Sequence, residues 1–286
     1  MTSAAGADDV LRELRFGAAA GDDPKGRSDA ARFAFTLDFD SLDRWPDVPY
    51  DTSAPSARHD APGRARVESV LDAAACTMAR RAPQAFHLVN DQLQTVLVRA
   101  SNAAAGGSAS HRLHVGRCLL TNLHQPREAA LVAIEAVTHE AIHQLIYRAE
   151  AEHRTFCDLA EMPTFRSPWS GARLPLHSLV HASFVWYGLL RLWNALALTP
   201  ASADEGVHAR GRVAHCLFGL AFLEDLLDSP GFPAGSIDAR VLAILREMAG
   251  AARGAARAAG ASPTLRGTAV AGQGAPWPNA LAASLG

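Results

Sequence analysis

The stretch from Pro126 to Glu152, PREAALVAIEAVTHEAIHQLIYRAEAE, decides the fold because it predicts one long helix. Pro126 suits a first helical position, where its missing N–H would be unpaired anyway. Apolar residues recur at helical spacing and form a wide stripe, namely Leu131, Ile134, Val137, Ala141, Ile142 and Leu145. We therefore expect this helix to bury one of its faces.

The same helix carries the string His-Glu-Ala-Ile-His at residues 139–143. His139 and His143 are four residues apart, so they share a helix face and can offer two imidazole nitrogens to one metal ion. Glu140 lies beside them, where a carboxylate can act as a general base or hold a ligand in place. Because the pair borders the apolar stripe, both imidazoles should be at least half buried, and a metal ion is one way to satisfy them.

Two histidines leave a metal site open, so the third ligand decides the chemistry. Glu161 follows His143 by 18 residues, close to the spacing at which a glutamate on the next helix completes a zinc peptidase site. His181 follows by 38 residues inside an apolar run, where a histidine needs a partner. Glu150 is two turns from His143, too far to close the same site. We favour His181, keep Glu161 as the alternative, and expect His177 on the same face as His181, at the pocket wall.

The composition is that of an ordinary globular protein. The chain has 286 residues, 49% hydrophobic and 20% charged, with a formal net charge of −2. That charge gives no electrostatic case for binding nucleic acid or an anionic membrane. The four cysteines are far apart and form no C-x-x-C pair, so we expect reduced core residues. The N-terminal residues lack a long apolar core, and we expect a cytoplasmic protein.

The chain is expected to contain a mobile Ala/Gly/Asp-rich segment over residues 1–30, a single catalytic metal-binding domain over 31–260, and a Gly/Pro/Ala-rich tail over 261–286. The fold class is mainly α with a small β-sheet (α+β), in which the metal helix packs against further long helices and an edge strand. Further helices are predicted at 65–82, 175–198, 204–229 and 236–260, with a short one near 10–16. Residues 84–100 fit a helix or a helix followed by a strand, and 112–120 alternate like a strand.

A family resemblance extends over residues 85–195. Its residues are Ser167-Pro168-Trp169, Pro175-Leu176, Leu179-Val180-His181-Ala182 and Trp193, with Gly106-Gly107-Ser108 ahead of the motif helix. Together with His-Glu-x-x-His, this order resembles a group of bacterial proteins known by that motif. Their characterised branch is the 2-oxoglutarate-dependent HExxH-type peptide β-hydroxylases, which act on ribosomally made precursor peptides.

The resemblance implies an iron(II) oxygenase that hydroxylates the β-carbon of a residue in a precursor peptide. Iron(II) would be held by His139, His143 and His181, and 2-oxoglutarate and dioxygen would be cosubstrates. The protein would fix the ligands, leave metal positions open and exclude water. The partners would then be the peptide and these small molecules, and the strand at 112–120 is a candidate surface for an extended peptide backbone.

The far carboxylate of 2-oxoglutarate needs a charged anchor, and a bidentate arginine suits it best. In the family loop an arginine precedes Pro-Leu; here Leu174 stands at that place and Arg173 comes one residue earlier. Arg173 is therefore the candidate anchor. Ser167, Trp169 and His177 are the further residues expected beside the cofactor.

Two other functions stay open. One is a zinc metallopeptidase in which Glu140 is the general base and Glu161 the third ligand; imidazole suits zinc as well as iron. The other is a catalytically silent binding module that keeps the motif helix for packing.

Overall fold

The computed structural model describes residues 3–14, 31–41, 56–101, 106–125, 129–158 and 164–258. The fold is mainly α with small β-sheets, as the sequence predicts. The helices are α1 (Ser3–Leu14), α2 (Ala61–Arg81), α3 (Pro83–Gln92), α4 (Ala129–Glu152), α5 (Leu176–Leu198), α6 (Ala203–Leu227) and α7 (Ala239–Ala258), with a 3-10 turn at Ala234–Ser236. The strands are β1 (Thr36–Asp38), β2 (Ser56–Ala57), β3 (Thr95–Ser101), β4 (Gly107–Ser110), β5 (Arg117–Thr121), β6 (Thr164–Arg166) and β7 (Arg173–Pro175).

The chain groups into two compact units. One, called here the helical unit, comprises residues 1–15 and 148–276; the other, called the sheet unit, comprises residues 16–147 and 277–286. The boundary falls inside α4, so the single domain predicted over 31–260 is divided between them. The predicted tail over 261–286 lies outside the described residues.

The sheet unit is built on three parallel strands. β3 pairs in parallel with β1 on one side and β5 on the other, and β4 adds to β5 in antiparallel fashion as an edge strand of the sheet. β2 pairs with the far end of β3. Ser108 and Ser110 of β4 are buried, as are Cys118 and Leu120 beside them on β5. This face of the sheet is the one that meets α4, because Ser110 hydrogen-bonds to Glu140.

Helix α4 is buried almost all round, which explains the high apolar content of its sequence. The predicted stripe is confirmed: Ile134, Val137 and Ile142 are each 0% exposed. Gln144 fixes the helix to the sheet, since its side chain accepts the Gly116 N–H at 2.6 Å and donates to the Arg117 carbonyl at 3.1 Å. Residues 126–128 of the predicted helix lie outside the described part of the chain.

The strand predicted over 112–120 begins only at Arg117. Residues 111–116 form a turn, in which the His114 N–H donates to the His111 carbonyl and Gly116 adopts a φ of +86°. The alternating apolar residues of this segment, Leu113 and Val115, are exposed, so the pattern does not correspond to a strand with one buried face. Residues 84–100 are the helix followed by a strand that was one of the two predicted options.

The helical unit contains α1, α5, α6, α7 and the C-terminal turn of α4. The short helix predicted near 10–16 begins earlier in the structure: α1 extends over Ser3–Leu14 and packs on α5 and α7. Val10 and Leu14 are 0% exposed, and Asp8 pairs with Arg240. The apolar residues of this short segment recur at helical spacing, so burial outweighs its Ala/Gly/Asp-rich composition. Among the described helices, none is long and apolar enough to cross a membrane.

Candidate metal centre

The centre lies in the helical unit, where the last turns of α4 meet the start of α5. Helix α5 begins directly after Pro175, which has an extended backbone conformation. His177 and His181 then fall four residues apart, on one helix face. Glu150 reaches them from α4. These three side chains belong to elements that are separate in sequence but are brought together by the fold.

Glu150 is hydrogen-bonded to both histidines through their Nε2 atoms. His177 Nε2 lies 3.0 Å from both carboxylate oxygens, and His181 Nε2 lies 3.1 Å from Oε2. The ring centroids of His177 and His181 are 4.0 Å apart. Within the described ranges, this is the only group of three or more His, Cys, Asp or Glu side chains whose ligand atoms all lie within 4.8 Å of one another. It could hold a metal ion.

The separations suit adjacent positions on an octahedral metal ion. Nitrogen and oxygen ligands bind such ions at about 2.1 Å, so two ligands at a right angle are about 3.0 Å apart. The carboxylate-to-imidazole separations of 3.0 and 3.1 Å match this value. The same separations are those of ordinary hydrogen bonds, which hold the three side chains together in the structure.

The side chains of Glu150, His177 and His181 are largely buried, and the two histidines affect the pKa of Glu150. The side chains of Glu150, His181 and His177 are 9%, 4% and 16% exposed. Burial raises the pKa of Glu150, but the charges and hydrogen bonds of His181 and His177 outweigh it and lower that pKa well below the ordinary value. Burial and the neighbouring His177 lower the pKa of His181. Glu150 is therefore ionised, the form in which a carboxylate binds a metal ion.

Residues around the cluster hold its ligands in place. The Phe156 N–H donates to Glu150 Oε1 at 2.8 Å and helps to hold the carboxylate in place. The Phe156 ring packs against His181 and Phe184 with centroid distances of 6.4 and 5.6 Å. Burial, with the charges of Glu150 and Asp158, raises the pKa of Cys157 to about 12, so this thiol is protonated at neutral pH.

Glu150 is absent from the predicted ligands because it lies two helical turns from His143, too far to bind the same metal ion. Two signals could have found it. Glu150 follows His143 by seven residues, so it recurs on the same helix face, and His177 and His181 form a second histidine pair at a spacing of four. A carboxylate opposite a histidine pair is itself a metal-ligand pattern.

The motif pair occupies the sheet unit. His139 is half-buried and His143 is 7% exposed, as predicted, and their ring centroids are 4.9 Å apart. The predicted ligand set of His139, His143 and His181 is thus divided between the two units, and it stays a prediction. Glu161, the alternative third ligand, lies outside the described residues.

Glu140 faces the sheet. Its side chain is 0% exposed, and the Ser110 hydroxyl donates a short hydrogen bond to its Oε2. Burial raises the pKa of Glu140 to about 7, against the lowering effect of hydrogen bonds from Ser108 and Ser110. The described contacts of Glu140 therefore tie α4 to the edge strand β4.

The Ser-Pro-Trp loop is the turn of the β6–β7 hairpin. Ser167 closes it: its N–H donates to the Ala172 carbonyl at 2.7 Å, and its hydroxyl accepts the N–H groups of Trp169 and Ser170. Gly171 completes the turn with a φ of +72°. The Arg173 guanidinium is exposed and donates to Thr164 Oγ1 at 2.8 Å. These contacts stabilise the hairpin, and the cofactor roles of Ser167, Trp169 and Arg173 stay predictions.

Trp169 anchors the hairpin on α6. It is 7% exposed, stacks on Trp186 at 5.7 Å, and directs its indole N–H at the Cys216 carbonyl. Gly219 makes room for it, because a Cβ at that position would lie 1.9 Å from the indole nitrogen.

Replacing Gly219 with alanine should therefore displace Trp169 and lower the free energy of unfolding by about 1–3 kcal/mol. Urea unfolding followed by circular dichroism measures this. Gly211→Ala is the control on the same helix, at an exposed position where an added Cβ meets nothing within 4 Å. There alanine should raise stability by about 0.5–1 kcal/mol. Equal effects of the two substitutions would contradict the packing described for Trp169.

No protein-family model matches the chain, and no curated protein shows significant similarity to it.

Proposed function

We propose that the protein is an iron(II)- and 2-oxoglutarate-dependent oxygenase that hydroxylates the β-carbon of a residue in a ribosomally made precursor peptide. One observation carries the proposal: Glu150, His177 and His181 are two histidines and one carboxylate at separations that suit adjacent metal positions. Two histidines and a carboxylate on one face of an octahedral ion leave three positions open. That ligand set is typical of non-haem iron(II) oxygenases.

This proposal changes the ligands implied by the resemblance and keeps its chemistry. Iron(II), when bound, would supply the activation of dioxygen needed to oxidise an unreactive C–H bond. The residues of this chain would bind and orient: Glu150 would neutralise one charge of the cation, and His177 and His181 would complete the ligand face. Phe156 and Phe184 would keep water from the buried side of His181.

The peptide substrate and 2-oxoglutarate rest on the resemblance of the Ser167–Trp169 loop and the Leu179–Ala182 run. The structure supports the link in one respect. The loop leads directly through β7 into α5, the helix that carries His177 and His181. The hairpin that contains this loop therefore fixes the start of α5, and with it the positions of His177 and His181.

The second candidate is the zinc metallopeptidase, and Glu140 favours it in one way. A pKa of about 7 suits a general base at neutral pH. A base must reach a metal-bound water, however, whereas Glu140 is 0% exposed and bonded to Ser110. We therefore rank this function below the oxygenase.

Turnover of the cosubstrate without peptide tests the oxygenase. Protein loaded with iron(II) under anaerobic conditions is mixed with 2-oxoglutarate and then exposed to air, and succinate is measured against dioxygen consumed. We expect slow succinate formation with iron and none with zinc in the same protein. Tightly bound iron without any succinate, together with cleavage of a generic peptide by the zinc form, would contradict the oxygenase and support the peptidase.

A further inference from the structure

The carboxyl ends of the three parallel strands in the sheet unit meet at one edge. β1, β3 and β5 run in the same direction, so their last residues, Asp38, Ser101 and Thr121, lie towards the same edge of the sheet. In sheets with parallel strands, ligands bind preferentially at this edge. Asn122, fully buried with a φ of +59°, reverses the chain just after β5 and accepts the Ser101 N–H at 2.8 Å.

Arg99, on β3 at this edge, is a buried cation with part of its hydrogen-bonding capacity unused. It is 3% exposed, and its Nη1 donates to the carbonyls of Phe39 and Val98, each at 2.9 Å. Its Nη2 is buried and has no hydrogen-bond partner among the residues that the structure describes. A buried guanidinium without a counter-charge is costly, and each unmade hydrogen bond adds to that cost.

The nearby carboxylates are engaged by other groups. Asp38 pairs with Arg117 at 3.2 Å, and Asp40 pairs with Arg64 at 2.6 Å. Among the described residues, no carboxylate lies within ion-pair distance of Arg99. Within the described residues, the charge of Arg99 is therefore not neutralised by a direct ion pair.

The imidazole rings of His59 and His124 contact each other edge to face beside Arg99. His59 and His124 have ring centroids 4.7 Å apart at an interplanar angle of 82°. His59 is 6% exposed, and within the described part of the chain its buried Nε2 and the buried Nδ1 of His124 have no hydrogen-bond partner. Phe39 connects these groups, since its ring lies 6.2 Å from that of His59 and its carbonyl accepts from Arg99. His59, His124 and Arg99 therefore place three unsatisfied nitrogens at one edge of the sheet.

We propose that this cluster, the Arg99–His59–His124 cluster, binds a small oxyanion, a carboxylate or a phosphate. Such a group would neutralise Arg99 and accept hydrogen bonds from Nη2 and the imidazole N–H groups, which are the strong, charge-assisted kind. Burial and the neighbouring His124 lower the pKa of His59. A bound oxyanion would favour the protonated imidazole, in which both ring nitrogens carry an N–H. The site lies in the sheet unit and does not depend on the proposed iron centre in the helical unit.

Titration of the intact protein with two probes tests the proposal. Sodium succinate and inorganic phosphate are added separately at constant ionic strength, with chloride as the control anion, and binding is followed by calorimetry. The imidazole nitrogens of His59 and His124 are followed by NMR in the same titrations. We expect saturable binding of at least one probe, with shifts confined to these two histidines. Tighter binding of succinate would assign the site to carboxylates, and tighter binding of phosphate would assign it to phosphates.

Two substitutions locate the binding. Arg99→Gln should weaken it at least tenfold, whereas Arg32→Gln, at an exposed arginine of the same unit that pairs with Asp72, should leave it unchanged. Should Arg99→Gln fail to fold, His124→Gln provides the same test at a half-buried position, with an expected loss of a few fold. Absence of saturable binding by both probes, or unchanged binding in folded Arg99→Gln, would overturn the proposal.

Discussion

Replacing Glu150 with glutamine should abolish stable iron(II) binding and, with it, turnover of 2-oxoglutarate. Glutamine keeps the size of the side chain and can still accept the Phe156 N–H, so the local packing should persist. It removes the only negative charge among the three proposed ligands. Since even residues that merely orient a ligand change metal affinity by about 10–100-fold, loss of this direct ligand should weaken binding by at least about 100-fold. Anaerobic titration with iron(II) measures the affinity.

Glu152→Gln is the matched control. It lies two residues further along α4, carries the same charge and is exposed. This variant should bind iron with the affinity of the unmodified protein. Equal iron affinity in Glu150→Gln and Glu152→Gln would contradict the assignment of Glu150 as a ligand.

Replacing Glu140 with glutamine should remove the contribution of Glu140 to the pH dependence of stability between pH 4.5 and 8. The pKa of Glu140 is raised from 4.5 to about 7 in the folded protein. A raised pKa means that the folded state holds the proton more tightly, so this contribution is complete below pH 4.5 and is lost as the pH rises through 7. The difference corresponds to about 3 kcal/mol. Glutamine does not titrate, and it can keep the hydrogen bond to Ser110.

Urea unfolding at several pH values tests this expectation. The stability of the unmodified protein relative to Glu140→Gln should fall by about 3 kcal/mol from pH 4.5 to pH 8. The exposed Glu152→Gln should follow the unmodified protein throughout. Parallel pH profiles for the unmodified protein and Glu140→Gln would show that Glu140 is not a buried carboxyl of this kind. The same variant also addresses the peptidase, because a peptidase would lose its activity with Glu140, whereas the proposed oxygenase would keep its iron.

The helices near the proposed centre were accessible from the sequence because their patterns are long and regular. The apolar stripe of α4 is independent of the rest of the fold, and so is the apolar run of α5 around His181. The partner of His181 was not accessible in this way. Which carboxylate a histidine contacts depends on how the two helices that carry them pack. The ligand prediction instead started from the two histidines of the motif, His139 and His143.

The corrections in the fold have equally specific causes. Alternation predicted a strand through Leu113 and Val115, but Gly116 and the His111–His114 turn delay β5 to Arg117. Composition predicted a mobile N-terminus, but the spacing of Val10 and Leu14 allows α1 to bury its apolar face. The Arg99–His59–His124 cluster joins residues from three separate segments, and only the sheet pairing brings those segments to one edge.

The most direct test of the central claim is the iron(II) content of two double variants prepared side by side under anaerobic conditions. His177→Ala/His181→Ala removes the two histidines of the proposed centre, and His139→Ala/His143→Ala removes those of the sequence motif. If Glu150, His177 and His181 hold the metal, the first variant should contain no tightly bound iron and the second should keep the full amount. Retention of iron by the first variant and its loss from the second would contradict this account and place the metal at the motif.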